Sequence, residues 1–314
     1  MLTGIADLVA FSATALLLFP FVRFARRAML DRPSARSSHA MPTPRGGGAV
    51  LVVVYLVVCG VCLPAVSHAF MWAAAAIGLV AVVGWMDDRS SLSPRLRLVV
   101  HVVAGGMLVP FASAYPYAAL PAPVWAAGIV AWTVSAINVV NFMDGIDGLI
   151  ASQMALFAGH IYLISPAGAA GVQALTLAGA CIGFLIWNWP PARVFLGDVG
   201  SGALGVIYVI GGILATEHVH PVYAFLPLYP LFLDALVTLV RRAGRGERLS
   251  EPHRSHLYQR LANGSWGHRR VTVLYFVVSA GGAVIVWTPD ALRAALAVGY
   301  ALFVVLLGSR LEPR

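Results

Sequence analysis

Apolar stretches of membrane-spanning length recur along the chain, separated by short connections that collect its Arg, Asp, Gly and Pro residues. Eleven such runs start near Gly4, Gly47, Ala69, Leu96, Val124, Leu149, Gly171, Gly202, Val222, Val271 and Ala291. Crossing the hydrocarbon core of a bilayer takes roughly 20 helical residues, so the pattern predicts an all-α integral membrane protein of about eleven transmembrane helices. Residues 1–314 are expected to form a single polytopic membrane domain, with its working loops near 25–46, 86–96, 141–148, 189–201 and 241–270. The first run is followed, not preceded, by Arg23, Arg26 and Arg27. That order is the reverse of a secretory signal, so this run is expected to be a retained span with its N-terminus outside.

Composition strengthens this reading. Of 314 residues 60% are hydrophobic and only 11% charged, whereas a soluble domain devotes about a quarter of its residues to charge. Too little charge remains to coat a water-facing surface, and no appended soluble domain is expected. The formal net charge is +8, and all 21 basic residues are Arg. Nucleic-acid binding needs a contiguous basic face in water; here the arginines punctuate apolar runs instead. In an eleven-span topology twenty of them fall on one side and only Arg293 on the other. The positive-inside rule makes that side cytoplasmic and puts the C-terminus there too. Cys59, Cys62 and Cys181 lie inside apolar runs, away from further metal ligands, and are expected to be ordinary membrane-helix cysteines.

The carboxylates share the asymmetry. Asp87 and Asp88 end the third run, Asn138, Asn141, Asp144 and Asp147 cluster where the fifth run meets the sixth, Asp198 follows the seventh and Asp234 lies late in the ninth. Any one of these is explained by a solvated helix end or an N-cap. Several converging on one face at membrane depth point to a functional site, because ionisable groups there are costly. In Asn138–Gly148 polar residues recur every three positions, along one side of a helix, before two glycines permit a sharp exit. Clustered carboxylates with few cations suit a hard divalent ion such as Mg2+, which takes oxygen ligands and shares them with phosphate. The segment Gly197-Asp198-Val199-Gly200-Ser201 sets a carboxylate beside backbone amides expected to be open to a phosphate at a helix start. His253, Arg254 and His256 lie in a basic connection that favours an anionic substrate. So does the basic turn Arg32–His39, followed by Arg45 and the run Gly46-Gly47-Gly48, unless it is only an orientation signal.

In order along the chain, PTPRGGG, GWMDDR, NVVNFMDGIDGL, WNWPPARVFLGDVGS and PHRSHLYQRL resemble the polyprenyl-phosphate N-acetylhexosamine-1-phosphate transferases, which include the phospho-MurNAc-pentapeptide translocase. The resemblance implies a bacterial inner-membrane enzyme with its active site on the cytoplasmic face. Such an enzyme transfers a sugar 1-phosphate from a UDP-N-acetylamino sugar to undecaprenyl phosphate, with Mg2+ or Mn2+, and releases UMP. Its partners would be those substrates and the bilayer, with a homodimer as its candidate assembly. Carried over residue by residue, Asp198 would be the main metal ligand, assisted by Asp88. Asp87 would deprotonate or position the lipid phosphate, and Asp144 would assist at the diphosphate. Gly145, Ile146, Asp147, Asn188 and Phe195 would form the nucleoside pocket, beside Asn138 and Asn141. His253 and His256 would lie near the diphosphate, with Arg45 and Arg254 as further anion contacts.

Arg254 and Ser255 separate the two histidines, and the chain lacks Lys altogether. Both features depart from the pentapeptide translocase and favour enzymes that start O-antigen or similar surface polysaccharides. A transporter would place ionisable groups near the bilayer midplane, usually with repeat symmetry, and neither appears. A CDP-alcohol phosphotransferase would share the metal logic but carry a D-G-x-x-A-R element that is missing here.

Overall fold

A computed structural model describes residues 5–31, 41–63, 67–115, 117, 119–248 and 253–311. The basic turn Arg32–His39, Pro252 and Arg314 lie outside the described residues. The protein is a multi-pass, helical membrane protein. Among the described residues nine helical segments are long and apolar enough to cross a membrane. These are α1 (Ala6–Ala28), α3 (His68–Ser90), α4 (Pro94–Ser113), α5 (Ala122–Met143), α7 (Gly168–Asn188), α8 (Gly197–Ala215), two interrupted segments and α13 (Asp290–Leu311). The apolar helices α2 (Gly48–Cys62) and α6 (Leu149–Ile164) are shorter. A two-residue antiparallel pairing of β1 (Leu30–Asp31) with β2 (Thr43–Pro44) sits between α1 and α2.

The two interruptions have sequence causes. The segment Pro221–Gly244 is α9 (Pro221–Phe225), a 3-10 turn and α10 (Tyr229–Gly244), broken where Pro227 and Pro230 cannot donate backbone hydrogen bonds. The segment Leu257–Trp287 contains α11 (Leu257–Leu261) and α12 (Gly267–Val284), separated by a non-helical Gly264. Two of the long helices start on serine caps: Ser67 accepts from the Phe70 amide at 3.1 Å before α3, and Ser93 accepts from Leu96 ahead of Pro94 in α4. The three cysteines are buried and free.

The bundle is organised around α8, which packs against α2, α3, α5, α6 and α7 and is buried almost throughout. Lipid tails are as apolar as a leucine side chain, so helices associate in a membrane mainly through close packing of small residues. Gly200 of α8 meets Gly48 of α2, Gly205 meets Ile137 of α5, and the Asp198 carbonyl meets Gly84 of α3. A Cβ on Gly84 would overlap that carbonyl, whereas one on Gly78 of the same helix would meet nothing within 4 Å. By contrast α13 has no buried residue and sits at the edge of the bundle.

Gly84→Ala should therefore cost about 1–3 kcal/mol through overpacking and lower the apparent Tm in detergent. Gly78→Ala should hold or raise it, since Ala is favoured over Gly in a helix by roughly 0.5–1 kcal/mol. Equal behaviour of the two variants would contradict the α3–α8 contact.

Candidate active site

Several helix ends converge on a cleft enclosing about 1360 Å3 of empty space, its open mouth included. Asp87 comes from the C-terminal end of α3, Arg97 and His101 from the start of α4, and Asn138 and Asn141 from the end of α5. Asp198 comes from the first turn of α8, His253 and His256 from the segment leading into α11, and Gln259 from α11 itself. Residues more than a hundred positions apart thus share one wall, because adjacent antiparallel helices bring alternate connections to the same end.

Asp87 is held on both oxygens. Its Oδ1 accepts from the Leu92 amide and its Oδ2 from Arg97 at 2.8 Å. Asp198 accepts from the Asn141 amide at 2.9 Å and lies 3.7 Å from the same guanidinium. Its side chain is 35% exposed, against 7% for Asp87, so Asp198 is the carboxylate that presents itself to the cleft. The two carboxylates thus share one guanidinium, a single positive charge for two negative ones.

The other expected site residues surround the cleft without lining it. Asp88 accepts from the amides of Asp198 at 3.1 Å and Val199 at 3.2 Å, and Arg45 donates to its backbone carbonyl while standing 3.9 Å from its carboxylate. These are the helix-start amides that the sequence suggested for a phosphate. A protein carboxylate takes them first, being the nearest anion to a partly positive helix terminus. Gly197 makes this fit, with φ +75 and a position where a Cβ would lie 2.5 Å from Asp88 Oδ2.

Asp147 accepts from the Ala192 amide at 3.0 Å and faces His268 Nδ1 at 3.2 Å, tying the Trp189–Leu196 loop to α12. Asn188 braces the same loop: its carbonyl accepts from Gly148 and its amide donates to Val194, both at 2.9 Å. Phe195, half-buried, exchanges backbone hydrogen bonds with Pro44 and Gly47, so the PTPRGGG segment is a strut for the loop before α8. Ile146 is buried, and Gly145 lies against Tyr258, whose hydroxyl donates to the Phe142 carbonyl at 2.8 Å.

Asp144 caps the end of α5, beyond the membrane-spanning segment. Burial, reinforced by the charges of Asp198, Asp88 and Asp147, holds its carboxyl well above the usual carboxylate range. The His256 ring stacks with those of Phe142 and Tyr258, and its centre is 4.9 Å from that of His253. His253 Nδ1 is 3.0 Å from the Ser255 hydroxyl. Arg254, half-buried between the histidines, is not part of the cleft wall.

The donor set fits a hard cation. Among the described residues no group of three or more His, Cys, Asp or Glu side chains is spaced to hold a metal ion. Asp198 and Asp87 are the residues that could, with water and phosphate oxygens completing the shell, which is the usual mode for Mg2+. Arg97, His101 and Gln259 are the polar cleft residues that the sequence did not single out for chemistry. Arg97 registered only in the charge count, although its place ten residues after Asp87, one short turn away, was the available signal.

Residues 69–216 match glycosyl transferase family 4. The chain is 28% identical to the decaprenyl-phosphate N-acetylglucosaminephosphotransferase of Mycolicibacterium smegmatis, over 96% of this chain and 85% of that protein. It is 27% identical to the probable undecaprenyl-phosphate N-acetylglucosaminyl 1-phosphate transferase of Bacillus subtilis, covering 84% and 79% of the two chains. A phospho-N-acetylmuramoyl-pentapeptide-transferase from Synechococcus sp. is 28% identical over 84% of each chain. The matched segment contains Asp87, Arg97, Asn141 and Asp198, and the full-length similarities extend to the histidine segment. Residues 69–216 thus carry the glycosyl transferase family 4 match, and over most of its length the chain is similar to polyprenyl-phosphate sugar-phosphate transferases.

Proposed function

We propose that the protein transfers an N-acetylated amino-sugar 1-phosphate from a UDP-sugar to undecaprenyl phosphate at the cytoplasmic face of the bacterial inner membrane. The observation that carries this reading is the cleft in which Asp87, Arg97, Asp198 and His256 meet at the arginine-rich ends of the helices. UDP-N-acetylglucosamine is the favoured donor, in keeping with the N-acetylglucosamine named for the Mycolicibacterium and Bacillus relatives. The product would start O-antigen or a related surface polysaccharide.

In the reaction an oxygen of the lipid phosphate forms a bond to the phosphorus that carries the sugar. The bond from that phosphorus to the UMP oxygen breaks, and UMP leaves with the electron pair. Both reactants are anions, so the site must lower their repulsion and place them in line. Arg97, with Asp87 holding it in place, offers its remaining N–H donors to phosphate oxygens. Each Asp87 oxygen accepts one hydrogen bond, which orients the carboxylate and leaves a further lone pair on each oxygen for a cation. Asp198 and Asp87 would hold Mg2+ or Mn2+, which when bound draws off charge from the diphosphate. His253 and His256 would hydrogen-bond to the departing phosphate, since imidazole is a poor match for Mg2+. The polyprenyl chain stays in the bilayer, which accounts for a nucleotide-sugar reaction on so many helices. The eleven-span topology, with α2 and α6 as short spans and the N-terminus outside, belongs to the same proposal.

The direct test is UMP release by the purified protein from UDP-N-acetylglucosamine, which should require both undecaprenyl phosphate and Mg2+. Release from UDP-MurNAc-pentapeptide in preference would support the translocase reading instead. Asp198→Asn keeps shape but removes charge, and should lower kcat by about 100-fold or more. Arg97→Gln should lose on the order of 10- to 100-fold. Near-parental turnover of either variant at saturating Mg2+ would remove its role. His253→Ala and His256→Ala should lower kcat more than they raise the donor KM, with an unchanged Mg2+ dependence; rescue by excess metal would show that the histidines serve the ion.

For the topology, Ser91→Cys should be protected from an impermeant thiol reagent in sealed cells and Glu217→Cys should react, both positions being exposed on opposite ends of the bundle. The reverse pattern would overturn the cytoplasmic placement of the cleft.

A further inference from the structure

Asp234 lies on α10, outside the cleft wall, and the chemistry above makes no use of it. Its carboxylate is buried and fully engaged. Oδ1 accepts from the Leu257 amide at 2.8 Å and the Thr238 hydroxyl at 3.3 Å. Oδ2 accepts from the Tyr258 amide at 3.0 Å and the Tyr275 hydroxyl at 2.7 Å. Three helices, α10, α11 and α12, are thereby tied to one side chain. The two amides open α11, so the carboxylate also caps that short helix.

Immediately before those amides stands His256. Its Nδ1 is buried, makes no hydrogen bond among the described residues and lies 3.7 Å from Asp234 Oδ1. Phe142 and Tyr258 stack on the ring, with centroids 6.2 Å and 5.8 Å away, and set its plane. The ring lines the cleft. An imidazole keeps its proton on the nitrogen that faces a carboxylate, because the other tautomer would aim a lone pair at the negative charge. The nitrogen left over is then fixed in both position and protonation.

We propose that Asp234 is a positioning residue that acts through His256. It holds the imidazole with Nδ1–H toward its own carboxylate and leaves Nε2 to meet the donor's diphosphate. The inference rests on the cleft being the transferase site. It assigns to α10 a part in the chemistry that no side chain of that helix performs by contact with substrate. Tyr275, on α12, belongs to the same arrangement, because its hydroxyl helps fix the carboxylate.

The test is a double-mutant cycle read as kcat and donor KM for UMP release, with His256→Ala as the second background. In the parental background Asp234→Asn should lower kcat by about 10- to 100-fold and change the donor KM by less than about twofold. In the His256→Ala background the same substitution should cost less than about twofold further, because the side chain it serves is gone. Equal fractional losses in both backgrounds would show a structural role and overturn the proposal. Tyr275→Phe removes only one donor to the carboxylate and touches no cleft residue, so it decides the matter if Asp234→Asn does not fold. It should lower kcat a few-fold in the parental protein and leave the His256→Ala protein unchanged, and equal losses would again overturn the proposal. If the parental protein releases no UMP from any UDP-sugar, the transferase reading falls and this inference with it, an outcome distinct from turnover with additive losses.

Discussion

The site depends on how α3 is fastened to α8. Asp88 places its carboxylate on the first amides of α8, and Gly84, one turn earlier on α3, lets the Asp198 backbone come into contact. An anion at a helix N-terminus stabilises by roughly 0.3–1 kcal/mol when exposed and more when buried. A second carboxylate next door would ordinarily be pushed away. Here the adjacent residue, Asp87, points instead toward Arg97 and the cleft, and Asp198 emerges from the α8 turn beside it. One bonded aspartate thus fixes the separation of two others.

That arrangement makes physical sense for joining two phosphates. Carboxylates crowded at the end of a membrane helix are costly, and the crowding here is relieved only in part by Arg97. A cation therefore meets groups that already lack sufficient counter-charge, and the anionic phosphates are left to Arg97 and to whatever charge that cation brings. The remaining polar residues serve geometry. Asp147 and Asn188 brace the loop that leads into α8, Phe195 is clasped by the PTPRGGG segment, and Asp234 anchors the histidine segment. The cleft is thereby surrounded by satisfied polar braces, which permits a few groups facing it to remain open.

Much of this was legible in the sequence because the bilayer imposes a strong code. Each of the eleven apolar runs is helical, and the polar clusters at Asp87, Asn141, Asp198 and His256 do come together. Hydropathy alone gave no warning that the runs at Gly47 and Leu149 form helices of only 15 and 16 residues. Nor did it show the breaks near Pro227 and Gly264, since apolar composition continues through both. The division between groups that face the cleft and groups that support it was hidden as well. Asp87 and Asp88 are neighbours with the same chemistry, and successive helical residues point about 100° apart, so only the helix packed beside them separates their roles. Arg97 looked like one arginine among many in a topological count, and its pairing with Asp87 depends on the tight turn between α3 and α4.

The central claim is that the bond broken lies between the two phosphorus centres of the donor, not between sugar and phosphate. The measurement that tests it uses UDP-N-acetylglucosamine carrying 32P in the phosphate attached to the sugar, incubated with the protein, undecaprenyl phosphate and Mg2+. Phosphotransfer predicts label in the lipid-extractable product and unlabelled UMP in the aqueous phase. Label retained in aqueous UDP while the sugar moves to lipid would mean glycosyl transfer at the anomeric carbon, and would contradict this account.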